Sequence, residues 1–197
     1  MTAAIICAGL HFGCGGGAEE ETPPAPSGPK EVVLTMLKAI AAGDAGAAVA
    51  CYDCSTENKE YMVKTMPFQK ALMKIGAAGA KEYGAKAWRA AKDKAKLDLI
   101  IPELSTAETT TRCTIMGNVA TCSLKGFRGS LNLAKRGKRW LIVPQPEQFP
   151  KLHLRGEIIE SILLTKASID EIRLRIGAAN VSADDICAEV AKILNIR

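Results

Sequence analysis

Residues 109–143 constrain the fold of this chain more than any other stretch, because they read as two consecutive β-hairpins. The first strand, 109–116, reaches Gly117-Asn118 and returns as 119–125. Gly and Asn both tolerate positive φ, so a two-residue loop here selects a primed turn. That register opposes Met116 with Val119, Ile115 with Ala120, Cys113 with Cys122 and Thr111 with Leu124. Alternation then puts Cys113, Ile115, Ala120, Cys122 and Leu124 on one face, and Arg112, Thr114, Thr121 and Ser123 on the other. The second hairpin is expected as 128–135, a turn at Arg136-Gly137, and 138–143, opposing Leu133 with Trp140 and Leu131 with Ile142. Two such hairpins predict a twisted antiparallel sheet with one apolar face that other elements must cover.

The cysteines bear on compartment. Counted out from the turn, Cys113 and Cys122 fall at a non-hydrogen-bonded pair, where Cα atoms approach to about 4.5 Å. That separation suits a disulfide, which persists in an oxidising compartment and not in a reducing one. The alternative is a pair of buried thiols acting as small hydrophobes. Cys51-Tyr-Asp-Cys54 is a CxxC, a pattern shared by redox centres and half-sites for zinc. Cys51 falls at the end of its helix, where the dipole opposes a thiolate. No second CxxC follows, and the histidines are only His11 and His153. No metal or cofactor is expected.

Helical patterns flank the hairpins. Val33, Met36, Leu37, Ile40 and Ala41 form an apolar stripe after Ser27-Gly-Pro29, with Ser27 as cap. Gly43 stops that helix and Asp44 caps a second, 45–52. Ser55 or Thr56 opens a third that leads to Pro67. Residues 68–96 read as a further helix containing Gly76, Gly79 and Gly84, a sign of close packing or a kink. Residues 97–101 suit an edge strand or a helix end before Pro102. After Pro144, Pro146 and Pro150, residues 155–176 are strongly helical. Gly177 ends them, and Ser182-Ala-Asp-Asp185 opens a last helix. Residues 151–197 therefore read as a helical hairpin packed on the domain or on a second copy, a homodimer.

The 26 basic residues all lie at Lys30 or beyond, whereas Glu19, Glu20 and Glu21 precede it, leaving a balance of +8 from residue 28 onward. Residues 3–12 are apolar, too short to span a bilayer and suited to a secretory signal. They run into Gly13-Cys14, and residues 15–29 hold three glutamates, four prolines and four glycines, a tether unable to build a core. Gly13-Cys14 after an apolar run resembles the cleavage and lipidation box of bacterial lipoproteins. The resemblance implies a signal peptide 1–13, lipidation of Cys14, a flexible tether 14–28, and a lipid anchor facing the periplasm or exterior of the cell envelope. No Lys or Arg precedes the apolar run, and an upstream start would supply them.

Helices followed by hairpin-connected strands are an α+β order. The alanine-rich helices around Gly43-Asp44, the later Gly-Asn turn and Lys-Arg-Trp140-Leu-Ile-Val143 resemble the nuclear transport factor 2-like superfamily, in particular its bacterial lipoprotein branch. The resemblance implies a domain over 29–150, with N-terminal helices packed in a curved antiparallel sheet and a pocket at the open end of the cone. Residues 151–197 form a C-terminal helical extension outside it. That superfamily includes ketosteroid isomerase, dehydratases and binding modules. Isomerase chemistry requires a carboxylate base within the cone. The inward sheet positions carry none, and the pocket-lining candidates Leu124, Leu131, Leu133, Trp140 and Ile142 are all apolar. Asp98, Tyr52, Tyr61 and Tyr83 would have to reach the pocket from elsewhere. No catalytic residues are assigned. The expectation is a non-enzymatic, membrane-tethered domain that binds an apolar small molecule or a protein partner. An isomerase or dehydratase and a CxxC thiol protein are the alternatives. Nucleic acid is not expected as a partner, because Lys125, Phe127, Arg128, Lys135, Arg136, Lys138 and Arg139 place one aromatic at most among the cations.

Overall fold

The computed structural model describes residues 28–97, 104–124, 129–146 and 149–195. It is an α+β fold, with seven α-helices and a four-stranded antiparallel sheet among those residues. Three helices come first: α1 (Pro29–Ala42), α2 (Ala45–Val49) and α3 (Thr56–Tyr83). After α4 (Ala85–Lys94) and α5 (Leu104–Thr110) come β1 (Arg112–Met116), β2 (Val119–Ser123), β3 (Leu131–Arg136) and β4 (Arg139–Ile142). The chain closes with α6 (Arg155–Leu174) and α7 (Ala183–Ile193).

The local signals act as their chemistry dictates. Gly43, at φ +83°, ends α1, and its N–H donates to Ala39 and Ile40 carbonyls. Asp44 accepts from Ala47 N–H to cap α2, and Ser55 accepts from Asn58 N–H to cap α3. Ser182 and Asp185 form a reciprocal capping box on α7. Ser27 lies outside the described residues, and Gly28 is the N-cap of α1.

The first hairpin has the expected register, Cys113 opposite Cys122 and Met116 opposite Val119. The second is shifted by two residues from expectation. Leu133 faces Ile142, Trp140 faces Lys135, and the turn is Gly137-Lys138. Gly137 has φ +62°, as does Gly117, while neither Lys138 nor Asn118 has positive φ. A glycine at the first central position alone is the type II′ pattern, which suits the twist of the strands. A shift of two preserves parity, so the assignment of side chains to faces survives.

Other expectations give way to tertiary structure. Pro67 does not end α3; it is exposed, so the Val63 carbonyl that loses its helical donor lies on the solvent-facing side. The break comes at Gly84, φ +81°. Thr109 and Thr110 belong to α5 and not to β1, since the Thr109, Thr110 and Thr111 hydroxyls donate to the carbonyls of Thr106, Thr106 and Ala107. The second helix ends at Val49, which frees Tyr52 to form a parallel bridge with Ile142 beside β4. Leu97 is fully buried, while 98–101 fall outside the described residues.

Two cores result. One unites Val33, Met36, Leu37 and Ile40 of α1 with Ala120, Leu133, Trp140 and Ile142 of the sheet. The other joins Leu72 and Ile75 of α3, Trp88 of α4, Ile169 and Ile172 of α6, and Ile186 and Val190 of α7. The long α3 contributes to both. The extension over 151–197 thus shares its core with helices of the 29–150 segment.

Candidate functional site

Cys113 and Cys122 are joined in a disulfide across β1 and β2, with Cα atoms 4.0 Å apart. The sequence turn places them there: Gly117 closes the loop, and three more pairs lead down to the cysteines. Cys122 is buried on the sheet face that meets α1, and Cys113 is half-buried beside it.

The apolar residues nominated as a pocket lining, Leu124, Leu131, Leu133, Trp140 and Ile142, all share that inner face and are all buried. They pack against α1 within the first core and line neither the cleft between α4 and α7 nor the one beside Gly43 and Lys70. Ile115, expected on the same face, is 54% exposed, because it lies on β1, the edge strand of the sheet. Its partner Ala120 remains buried.

The CxxC is held on the outer edge of β4. Ile142 N–H donates to the Cys51 carbonyl, and Asp53 N–H donates to the Ile142 carbonyl. Cys51 and Cys54 are free thiols, and Cys51 Sγ donates to the Ala47 carbonyl. Burial pushes both thiols above their ordinary range, with Arg139 partly offsetting this for Cys51 and Lys59 for Cys54. A low-pKa nucleophile needs the reverse. Burial also pushes the Tyr52 phenol upward. Cys187, in the second core, is pushed up to about 12 by burial.

The three tyrosines do not converge. Tyr52 belongs to the β4 edge, Tyr83 stacks on Trp88, and Tyr61 meets Phe149 edge-on at 6.2 Å between ring centroids. Asp98 and Cys14 lie outside the described residues. A cleft of about 390 Å³ opens between the end of α4 and the start of α7. Its polar groups are already engaged: Lys94 pairs with Asp184 at 2.6 Å, and Asp185 serves the capping box. Among the described residues there is no cluster of three or more His, Cys, Asp or Glu that could hold a metal ion. No described helix is long and apolar enough to cross a membrane.

Sequence reasoning missed one polar constellation. Arg155, at the start of α6, lies over the Tyr61 ring at 5.5 Å and the Phe149 ring at 5.9 Å. Its guanidinium also donates to the Glu57 and Pro150 carbonyls and to Asn58 Oδ1. Nothing local marks Arg155, since its partners lie up to 98 residues away. It ties the C-terminal hairpin to the beginning of α3. Comparison with protein-family models, curated proteins and solved structures found no match.

Proposed function

We propose that this chain is a lipid-anchored interaction domain of the bacterial cell envelope, built on a nuclear transport factor 2-like cone and lacking catalytic chemistry of its own. The observation that carries the reading is the Cys113–Cys122 disulfide, in a register dictated by the Gly117 turn. A bridge of this kind belongs to an exported protein. The apolar run ending at Cys14 and the Pro/Gly/Glu tether supply the export signal and the anchor. The order of helices before an antiparallel meander supports the cone, with α1 packed against the inner face of the sheet. Because α1 occupies that face, binding occurs at the outer surface and not within an enclosed pocket.

The test is metabolic labelling with a radioactive fatty acid in a bacterial host. The wild-type chain incorporates label and fractionates with membranes; Cys14→Ser incorporates none and accumulates unprocessed. Wild-type protein that is soluble in the cytoplasm and unlabelled overturns the reading.

A further inference from the structure

Both hairpin turns lie at the same end of the sheet, since Val119 faces Ala134 and Lys135 N–H donates to the Asn118 carbonyl at 2.8 Å. This end combines two kinds of surface. The β1–β2 turn presents Ile115, Met116 and Val119, which are 54%, 73% and 55% exposed. On the outer face Met116 and Val119 are register partners, so their exposed side chains lie side by side, while Ala134 and Leu141, next in the row, are buried and half-buried. The neighbouring turn presents Lys135, Arg136, Lys138 and Arg139, all exposed. Arg136 pairs with Asp53 at 2.7 Å. Lys135, Lys138 and Arg139 make no ion pair with a described residue. The charge is one-sided throughout the segment: between Glu108 and Glu147 there are seven cations and no acid.

We infer that this end of the sheet docks onto an anionic lipid bilayer, with the β1–β2 turn entering the headgroup region and the β3–β4 turn binding lipid phosphates. Apolar side chains at the tip with cations beside them match the two components of interfacial binding, burial at the acyl boundary and attraction to anionic lipid. The Cys113–Cys122 bridge sits just below the apolar tip, so the inserting element is pre-ordered and loses little freedom on binding. Single-stranded nucleic acid, the other polyanion, is disfavoured by the residues themselves. Its bases need aromatic platforms, and the one aromatic in the described strands, Trp140, is buried on the inner face. The inference goes beyond the lipid anchor, because it gives the folded domain its own contact with the membrane.

The test uses the full chain carrying Cys14→Ser, so that no acyl anchor contributes and the leader is identical in every arm. Co-sedimentation is measured with vesicles of phosphatidylcholine alone and with vesicles containing 30% phosphatidylglycerol. Binding is expected to favour the anionic vesicles and to fall as salt rises. The triple variant K135Q/K138Q/R139Q is expected to lose about five-fold per cation removed, roughly a hundred-fold in all. The variant M116S/V119S is expected to weaken binding to anionic vesicles at least ten-fold with an unchanged melting temperature, since both side chains are exposed. Equal partition onto the two vesicle types, or retention of wild-type binding by both variants, overturns the inference. So does tight binding to a single-stranded oligonucleotide without binding to anionic vesicles. Because the anchor is absent from every arm, failure here leaves the lipidation of Cys14 to its own labelling experiment.

Discussion

Trp88 occupies the space that a side chain on Gly79 would need: a β-carbon on residue 79 would lie 2.5–2.6 Å from three contiguous atoms of the indole. Trp88 is fully buried and stacks on Tyr83, whose hydroxyl accepts from Gly177 N–H. The contact therefore joins α3, α4 and the turn after α6 within one core. Gly79→Ala is expected to cost about 1–3 kcal/mol, the usual range for overpacking, and to lower the melting temperature. Gly84→Ala has open space around its β-carbon but φ +81°, so its cost is backbone strain alone. Thermal unfolding of the two variants, with tryptophan fluorescence as the second probe, distinguishes them. Only Gly79→Ala is expected to shift the native Trp88 emission.

The disulfide closes a loop of about ten residues, for which the chain-entropy model gives roughly 2–3 kcal/mol. Cys113→Ala/Cys122→Ala is expected to lower stability by that order and to remove the sensitivity of the melting temperature to reductant. Non-reducing peptide mapping of the wild type should recover Cys113 linked to Cys122. Linkage of Cys113 to Cys51, Cys54 or Cys187 would contradict the register of the first hairpin.

The free thiols respond to pH in a stated direction. A thiol whose folded pKa is raised by burial stabilises the fold while protonated, below its unfolded pKa. That contribution is lost as pH rises through the folded value. For Cys187 the window runs from its ordinary 9.0 to about 12. Denaturant titrations from pH 8 to 11 should show stability falling, with a shallower fall in Cys187→Ala. In native protein at pH 8, a thiol reagent should leave Cys51 and Cys187 unmodified and modify Cys54 slowly, with all three reacting on unfolding.

Arg155 makes demands that lysine cannot meet, because it stacks over two rings while its planar fork donates in several directions. Arg155→Ala is expected to cost about 2 kcal/mol, and Arg155→Lys to recover less than half of the loss. Hydrogen exchange should speed up in the first two turns of α6 and the first turns of α3. The α6–α7 capping region should remain as protected as in the wild type.

How far the sequence was legible depends on whether the deciding interaction is local. The Ser182–Asp185 box and the Gly117 turn are settled within four residues, and both are legible in the sequence. The second hairpin departs from expectation because Arg136-Gly137-Lys138 lets the glycine serve as first or second turn residue. A shift of two leaves the hydrophobic alternation unchanged, so the pattern could not arbitrate. Pro67 looks like a stop, but packing of α3 against α6 and α1 overrides it. Thr109–Thr111 look like a strand by propensity, but their hydroxyls find helical carbonyls instead. Gly79 was visible as a small residue suited to close packing, while its partner Trp88 is set by the turn at Gly84. Arg155 and the two-part surface at the sheet end depend on pairings that no local window contains.

Export and anchoring are tested most directly by the mass of the mature protein. Purified from the membranes of a bacterial host without detergent exchange to a tagged form, the chain is expected to begin at Cys14. It should carry the mass of a diacylglyceryl group and lack two further hydrogens for the Cys113–Cys122 bridge. An intact, unlipidated chain that retains residues 1–13 and has all its thiols reduced would contradict the account.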